Sequence, residues 1–229
     1  MSYFDLPEWT PSFKKGEPFT AIVPSARKSG KSHLFKCLFR DYFQHQFDLF
    51  IVFSETLNTP SGDEFFDLFG HTNSVLFSRF KPDKLTILKR IQQRLMNTKN
   101  KQLRTLIIID DCSSVRDSLP IEEVFVRGRH RETSTIILCQ KPSFFNPAMR
   151  DNAEVTITFN NKTSQNADFL NKNMLGPHIP REIAPKIADR TAFLMNIPKF
   201  HMVIVDTLRD EPGETRGGTL TRLFRYKCE

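Results

Sequence analysis

Apolar residues along the chain fall in short unbroken runs, separated by longer stretches with helical spacing. The runs are Phe19–Val23, Leu49–Phe53, Leu106–Ile109, Thr135–Cys139 and Val155–Phe159, each four or five residues drawn mostly from Ile, Leu, Val, Phe and Thr. Runs without polar alternation mark strands buried on both faces, and their alternation with helices predicts a mainly parallel sheet covered by helices. Between the first two runs, His33–Phe43 sets Leu34, Phe35, Leu38, Phe39, Tyr42 and Phe43 on one broad apolar face, the pattern of a helix packed on a sheet. Asp83–Met96 predicts a second amphipathic helix, with Leu88, Ile91 and Leu95 inward and Lys89, Arg90 and Arg94 outward. Ser61 with Glu64 has the form of a capping box, and Gly70 is placed to close the short helix it would start.

Beyond about Asn160 the pattern is less regular. Ser164–Asn173 has helical spacing, and two apolar runs, Thr191–Ile197 and Met202–Val205, meet around Pro198 in what reads as a β-hairpin at the sheet edge. Arg209–Glu229 mixes Pro212, Gly213, Gly217 and Gly218 with charges of both signs, the composition of an extended or flexible terminus. The expected division is an N-terminal extension over 1–18, one α/β domain over 19–208 and a mixed-charge tail over 209–229.

Composition narrows the class. At 229 residues and 39% hydrophobic content, the chain can bury a real core. Its formal charge of +7 favours polyanionic partners without identifying one. Cys37, Cys112, Cys139 and Cys228 are far apart and form no CxxC pair, so reduced thiols in a cytosol-like compartment are expected. The six histidines are scattered and none is assigned to a metal. Asp5, Pro7 and Glu8 stand where a signal peptide would need a basic start, and no apolar stretch approaches the roughly 20 residues of a membrane span. The phenylalanines fall mainly at core spacing, which argues against a base-stacking platform built from them.

The chemistry concentrates after two of the strands. Phe19–Val23 runs into Pro24-Ser25-Ala26-Arg27-Lys28-Ser29-Gly30-Lys31-Ser32, and a helix follows at once. This is the setting of a phosphate-binding loop, in which backbone N–H groups and a helix N-terminus surround the phosphates. Lys31 would reach the β- and γ-phosphates of ATP, and the Ser32 hydroxyl would bind Mg2+. The motif asks for Gly where Ser25 stands, and serine serves there if its φ stays negative. The run Leu106–Ile109 ends in Asp110 and Asp111, so Asp110 would hold Mg2+ while Asp111 orients and deprotonates the attacking water. The next run ends at Gln140, a polar amide placed to sense the γ-phosphate or position water. Between them lies Arg127-Gly128-Arg129-His130-Arg131, which is either a solvated helix end or the source of one arginine, Arg129 ahead of Arg131, that would stabilise transition-state charge from a neighbouring subunit. Lys99, Lys101 and Arg104 form a basic loop that is either solvated or in contact with DNA.

Three ordered motifs, SARKSGKS, LIIIDD and RGRHRETSTIILCQ, carry a resemblance over about Phe19–Gln140 to viral genome-packaging ATPases of the FtsK/HerA superfamily, of poxvirus, large-DNA-virus and virophage type. The resemblance implies a RecA-like ASCE P-loop core. It also implies a homo-oligomeric ring, hexamer or pentamer, that uses ATP and Mg2+ to drive double-stranded DNA into a preformed viral capsid. The place of action would be the viral replication site in the host-cell cytoplasm, or the virion. Ser25 for Gly, and Asp111 where many members carry Glu, are departures from the pattern. Other classes share the first two motifs: a DNA helicase, a P-loop kinase or a GTP-dependent switch. No arginine-rich lid of a kinase is evident, and the guanine-reading pattern would need Asp where Ser164 follows Asn161-Lys162-Thr163.

Overall fold

The computed structural model describes residues 6–11, 13, 17–26, 28–59, 67–111, 119–178, 189–208 and 223–227. Their strands are β1 (Thr20–Pro24), β2 (Leu49–Ser54), β3 (Ser74–Phe77), β4 (Thr105–Asp110), β5 (Thr133–Cys139), β6 (Val155–Thr158), β7 (His201–Asp206) and β8 (Leu223–Lys227). They form one eight-stranded sheet in the order β3-β2-β4-β5-β1-β6-β7-β8. Pairing is parallel from β3 through β6, and β7 and β8 add antiparallel at the far edge.

Each central strand feeds two cores, because successive side chains point to opposite faces. Ile107, Ile109, Ile137 and Ile22 face one layer, which includes Leu85, Leu88, Ile121 and Phe125. Leu106, Ile108, Ile136, Ala21 and Val23 face the other, which holds Leu34, Phe35, Leu38, Phe39 and Phe43. The helices are α1 (Lys31–Leu38), α2 (Pro82–Lys99), α3 (Leu119–Arg127), α4 (Pro147–Asp151), α5 (Ser164–Leu170) and α6 (Arg190–Met195). After Leu38 the first helix widens into a π turn over Phe39–Phe43, which keeps the predicted apolar face in contact with the sheet. Phe39 lies 5.2 Å from Phe50 and 4.8 Å from Phe69, so the phenylalanines here are core, as their spacing implies.

Three local expectations are corrected, and one strand is added. On α2, Ile91 is 46% exposed and Gln92 is the buried residue. Its amide donates to Leu103 O at 2.6 Å and accepts from Leu103 N at 2.9 Å, so a satisfied polar group takes the place expected of an isoleucine. Residues Thr191–Ile197 are not a strand: Arg190–Met195 is helical, capped by Asp189, whose Oδ1 accepts from Ala192 N at 2.9 Å. The antiparallel edge extension is instead made of β7 and β8. Over 223–227 the tail is extended but not free: β8 pairs with β7 and buries Leu223 and Phe224. Finally, β3 is a half-exposed edge strand that no apolar run announced. The expected capping box at Ser61 and Glu64 lies outside the described residues.

The segment before β1 is built into the same sheet edge. Trp9 N donates to Arg225 O at 2.8 Å, and the buried Trp9 indole donates to the buried Asp206 carboxylate at 2.8 Å. Among the described residues, no helix is long and apolar enough to cross a membrane.

Candidate functional site

Sheet order places the chemistry. Strand β5 lies between β1 and β4, so the C-terminal ends of three neighbouring parallel strands deliver the loop from Ser25, the pair Asp110 and Asp111, and Gln140 to one crevice. A cleft of about 840 Å3 is lined there by Lys31, Ser32, Asp110, Asp111 and Gln140, with Ala26, Lys28, Ser29 and Gly30 of the loop. Arg27 lies outside the described residues.

The loop is anchored on both sides. Ser25 N donates to Cys139 O at 2.9 Å, and Thr158 Oγ1 donates to Pro24 O at 3.2 Å. Ser25 is fully buried and is not among the positive-φ residues, which is the condition under which serine replaces the expected glycine. The left-handed turns fall at Lys28, φ 60°, and Gly30, φ 112°. Gly30 also caps α1, whose first turn carries no acidic residue, so the helix N-terminus offers its N–H groups and positive dipole end to an anion.

Lys31 is buried, 7% exposed, and its ammonium donates to Ser25 O at 3.1 Å and sits 3.5 Å from Asp111 Oδ1. Adjacent residues of a strand point to opposite faces, which would send Asp111 away from Asp110. Instead Asp111 leaves β4 at φ 50°, a conformation aspartate tolerates better than most residues, and its carboxylate turns back into the cleft. There Oδ2 accepts from Gln140 Nε2 at 3.0 Å, while Oδ1 is buried with no hydrogen-bond partner. The contact with Lys31 is thus an ion pair without hydrogen-bond geometry.

Asp110 is 5% exposed and accepts from Ser54 Oγ at 2.9 Å and Thr56 Oγ1 at 3.4 Å. Burial and the neighbouring Asp111 push its carboxyl up to about 6, against the opposing pull of Ser54, Lys31 and Thr56. Two adjacent carboxylates held this dry are poorly neutralised by one lysine, an arrangement that suits a divalent cation. Ser54 and Thr56 were missed from sequence, although polar residues directly after an apolar run are the available signal for the crevice edge.

A second missed pair covers the loop. A side chain at Gly30 would approach Phe159 to 3.2 Å and Phe200 to 3.3 Å, so both rings close over the loop glycine. Phe200 takes φ 64°, a left-handed conformation that costs a non-glycine residue about 1–2 kcal/mol.

The arginines are elsewhere. Arg127, Arg129 and Arg131 precede β5, at the opposite end of that seven-residue strand from Gln140. At about 3.3 Å per residue the separation is about 20 Å, beyond an arginine's reach. Arg129 pairs with Glu154, which also accepts from Thr20 N at 2.9 Å, and Arg131 pairs with Glu123 at 3.2 Å. Arg127 is exposed and makes no ion pair among the described residues. In the basic loop, Arg104 is committed to Asp48 at 2.8 Å, whereas Lys99 and Lys101 are exposed.

With this geometry in view, a family model matches residues 13–179, that of the poxvirus A32 protein. The chain belongs to the poxvirus A32 protein family. The family match bears out the resemblance carried by the three motifs. A comparison with curated proteins finds no match. Among solved structures, the fold is similar to B204, the DNA-packaging ATPase from Sulfolobus turreted icosahedral virus, at TM-score 0.62 and 14% identity over 95% of this chain and 100% of that one. It is similar to the genome packaging NTPase B204 from Sulfolobus turreted icosahedral virus 2 in complex with AMPPCP, at TM-score 0.59 and 16% identity over 94% and 100%. The pCW3 conjugation coupling protein TcpA with ATPgS gives TM-score 0.56 and 12% identity over 87% of this chain and 61% of that one. At these identities the likeness establishes fold, and the fold is the expected α/β P-loop NTPase core, a mainly parallel sheet with an antiparallel C-terminal extension.

Proposed function

We propose that this A32-family chain is an ATPase that drives double-stranded DNA into a viral capsid, working as a homo-oligomeric ring in the host-cell cytoplasm. The observation that carries the enzymatic part is the meeting of Lys31, Asp110, Asp111 and Gln140 in one cleft over the phosphate loop. The relatives of known fold include a DNA-packaging ATPase and an NTPase complex with a triphosphate analogue, which supports the same substrate class here.

Each residue then has a separate task. The loop N–H groups and the start of α1 bind the polyphosphate. Its charge outweighs that of one carboxylate and draws Lys31 from Asp111, leaving Asp111 Oδ1 to accept a proton from the attacking water. Gln140 fixes the carboxylate through Oδ2 and keeps the catalytic oxygen aimed. Ser32 and Asp110 would hold Mg2+, and Ser54 holds Asp110 in place. Bound there, Mg2+ would neutralise phosphate charge and align the leaving group. Charge developing on the phosphoryl group would be met by an arginine of the adjacent subunit, since those of the same subunit stand about 20 Å away.

The deciding experiment measures ATP hydrolysis with and without duplex DNA, for the wild type, Lys31→Ala and Asp111→Asn. Stimulation by duplex should fall steeply as salt rises, because the contacts are to phosphates. Lys31→Ala should lose nucleotide binding or turnover, while Asp111→Asn should bind ATP and hardly hydrolyse it. Near-normal turnover by Asp111→Asn would remove it as the base.

A further inference from the structure

Beside the phosphate cleft lies a second cavity of about 340 Å3, enclosed by Phe159, Asn160, Pro198, Lys199 and Phe200. The two adjoin: Ala26, Lys28, Ser29 and Phe200 line both. A ligand whose phosphates rest on the loop therefore has, directly alongside, a compartment with an aromatic wall.

That wall is built at a cost. Pro198-Lys199-Phe200-His201 forms a turn closed by His201 N donating to Pro198 O at 3.1 Å, and Phe200 occupies its left-handed position, where glycine or asparagine is usual. The ring is 43% exposed, yet it is seated on Gly30 rather than in the core. The Lys199 ammonium lies 4.8 Å from its centroid. Neither burial nor turn chemistry explains a phenylalanine here. A strained, exposed aromatic ring fixed against the phosphate loop has the properties of a stacking surface.

The polar groups around it are already occupied or cationic. Asn160 Nδ2 donates to Met195 O and to Ile197 O, the latter at 2.9 Å, and His201 Nδ1 contacts Lys199 O at 3.0 Å. Lys28, Lys162 and Lys199 line the cavity, and among the described residues no carboxylate does. Such a lining favours the electron-rich face of a nucleobase beside a negatively charged tail.

We propose that this cavity is the nucleobase subsite of the phosphate loop and that Phe200 is its stacking residue, holding the base by its face and giving little discrimination between ATP and GTP. The inference rests on the reading of the loop as a nucleotide site.

Binding of Mg-ATP, Mg-GTP and magnesium tripolyphosphate to the wild type, Phe200→Gly and Phe200→Trp tests it. Glycine relieves the left-handed strain, so this variant should fold at least as well as the wild type, and a thermal melt checks that. Phe200→Gly should weaken ATP and GTP binding about 5- to 100-fold and leave tripolyphosphate, which has no base, unchanged. Phe200→Trp should restore nucleotide affinity, with its fluorescence altered by ATP and not by tripolyphosphate. Equal losses for ATP and tripolyphosphate would overturn the inference in favour of Phe200 acting only as a prop for Gly30. Unchanged ATP affinity in Phe200→Gly would overturn it alone, whereas a wild type that binds neither ligand would overturn the loop reading with it.

Discussion

Arg127→Ala gives the sharpest test of how the active site is completed. The three arginines before β5 are not equivalent. Arg129 is held by Glu154, itself only 12% exposed, and Arg131 by Glu123, which Lys89 also contacts. Moving either to another site first breaks a contact within the subunit. Arg127 is exposed, as Arg129 is, but is free of ion pairs among the described residues, so it can be presented to a neighbour at no such cost. The seven residues of β5 put it about 20 Å from its own Gln140, so any contribution to hydrolysis is made in trans. An arginine supplied in that way is worth about 10³ to 10⁵ in rate, against about 0–1 kcal/mol of stability for a surface ion pair. Arg127→Ala should therefore keep its fold and nucleotide affinity while turnover falls at least about 10³-fold. Arg129→Ala and Arg131→Ala should lose stability first. Mixing supplies the control: Arg127→Ala keeps an intact loop and Lys31→Ala keeps an intact arginine, so steady-state phosphate release should partly return in mixed assemblies. No recovery in a mixture shown by mass to co-assemble, or a loss of ATP affinity in Arg127→Ala alone, would refute the reasoning.

Three further outcomes concern stability. Gln92→Leu should cost about 1–2 kcal/mol in denaturant unfolding, because the half-buried Leu103 N–H loses its acceptor while Leu103 C=O keeps only the Thr105 hydroxyl. Ile108→Ala, fully buried in the layer that contains α1, should cost about 2–5 kcal/mol by the same measurement. Asp48→Asn tests a pH dependence. The Arg104 side chain, helped by its backbone N–H, holds the Asp48 carboxyl below the ordinary range. The stability this pairing gives is complete above the unfolded value of about 3.9 and is lost as pH falls through the lower folded value. The variant should be less stable than the wild type at neutral pH by about 1 kcal/mol, and the gap should narrow as pH falls below about 3.9. A gap that does not narrow there would assign the effect to something other than the ion pair.

What could be read from sequence was what is local. The central parallel strands carry their own signal, since a strand buried on both faces is made of apolar residues with threonine or serine and no charge before its C-terminal end, and the phosphate loop is one uninterrupted stretch between a strand and a helix. The errors came where a distant partner decides the outcome. Gln92 is inside because Leu103 and Thr105 satisfy it, and nothing in α2 reveals that. Leu223–Lys227 was hidden behind glycines and a proline, and it becomes a strand because β7 and the backbone around Trp9 pair with it. Arg190–Met195 is the exception, since its signal is local: Asp189 caps the helix directly before the apolar run. In the site, Ser54 lies 56 residues from the aspartate it holds, and Phe200 reaches Gly30 only through the fold.

The same geometry explains why assembly and chemistry would be linked under the trans reading. Strand β5 ends at Gln140, which holds Asp111, and begins directly after the arginines. Strand β1 ends at the phosphate loop and begins at Thr20, whose N–H is held by the Glu154 that also holds Arg129. Both strands are central and fully buried, so neither can shift one end without displacing packed side chains on two faces of the sheet. A neighbour that grips the arginine end therefore meets a surface whose position relative to the phosphate loop is set by the core. Substitutions that loosen the strand interior, such as Ile108→Ala on the adjacent β4, should then degrade complementation between Arg127→Ala and Lys31→Ala subunits before they impair ATP binding, because the rate term needs placement across a subunit while binding needs only the local loop.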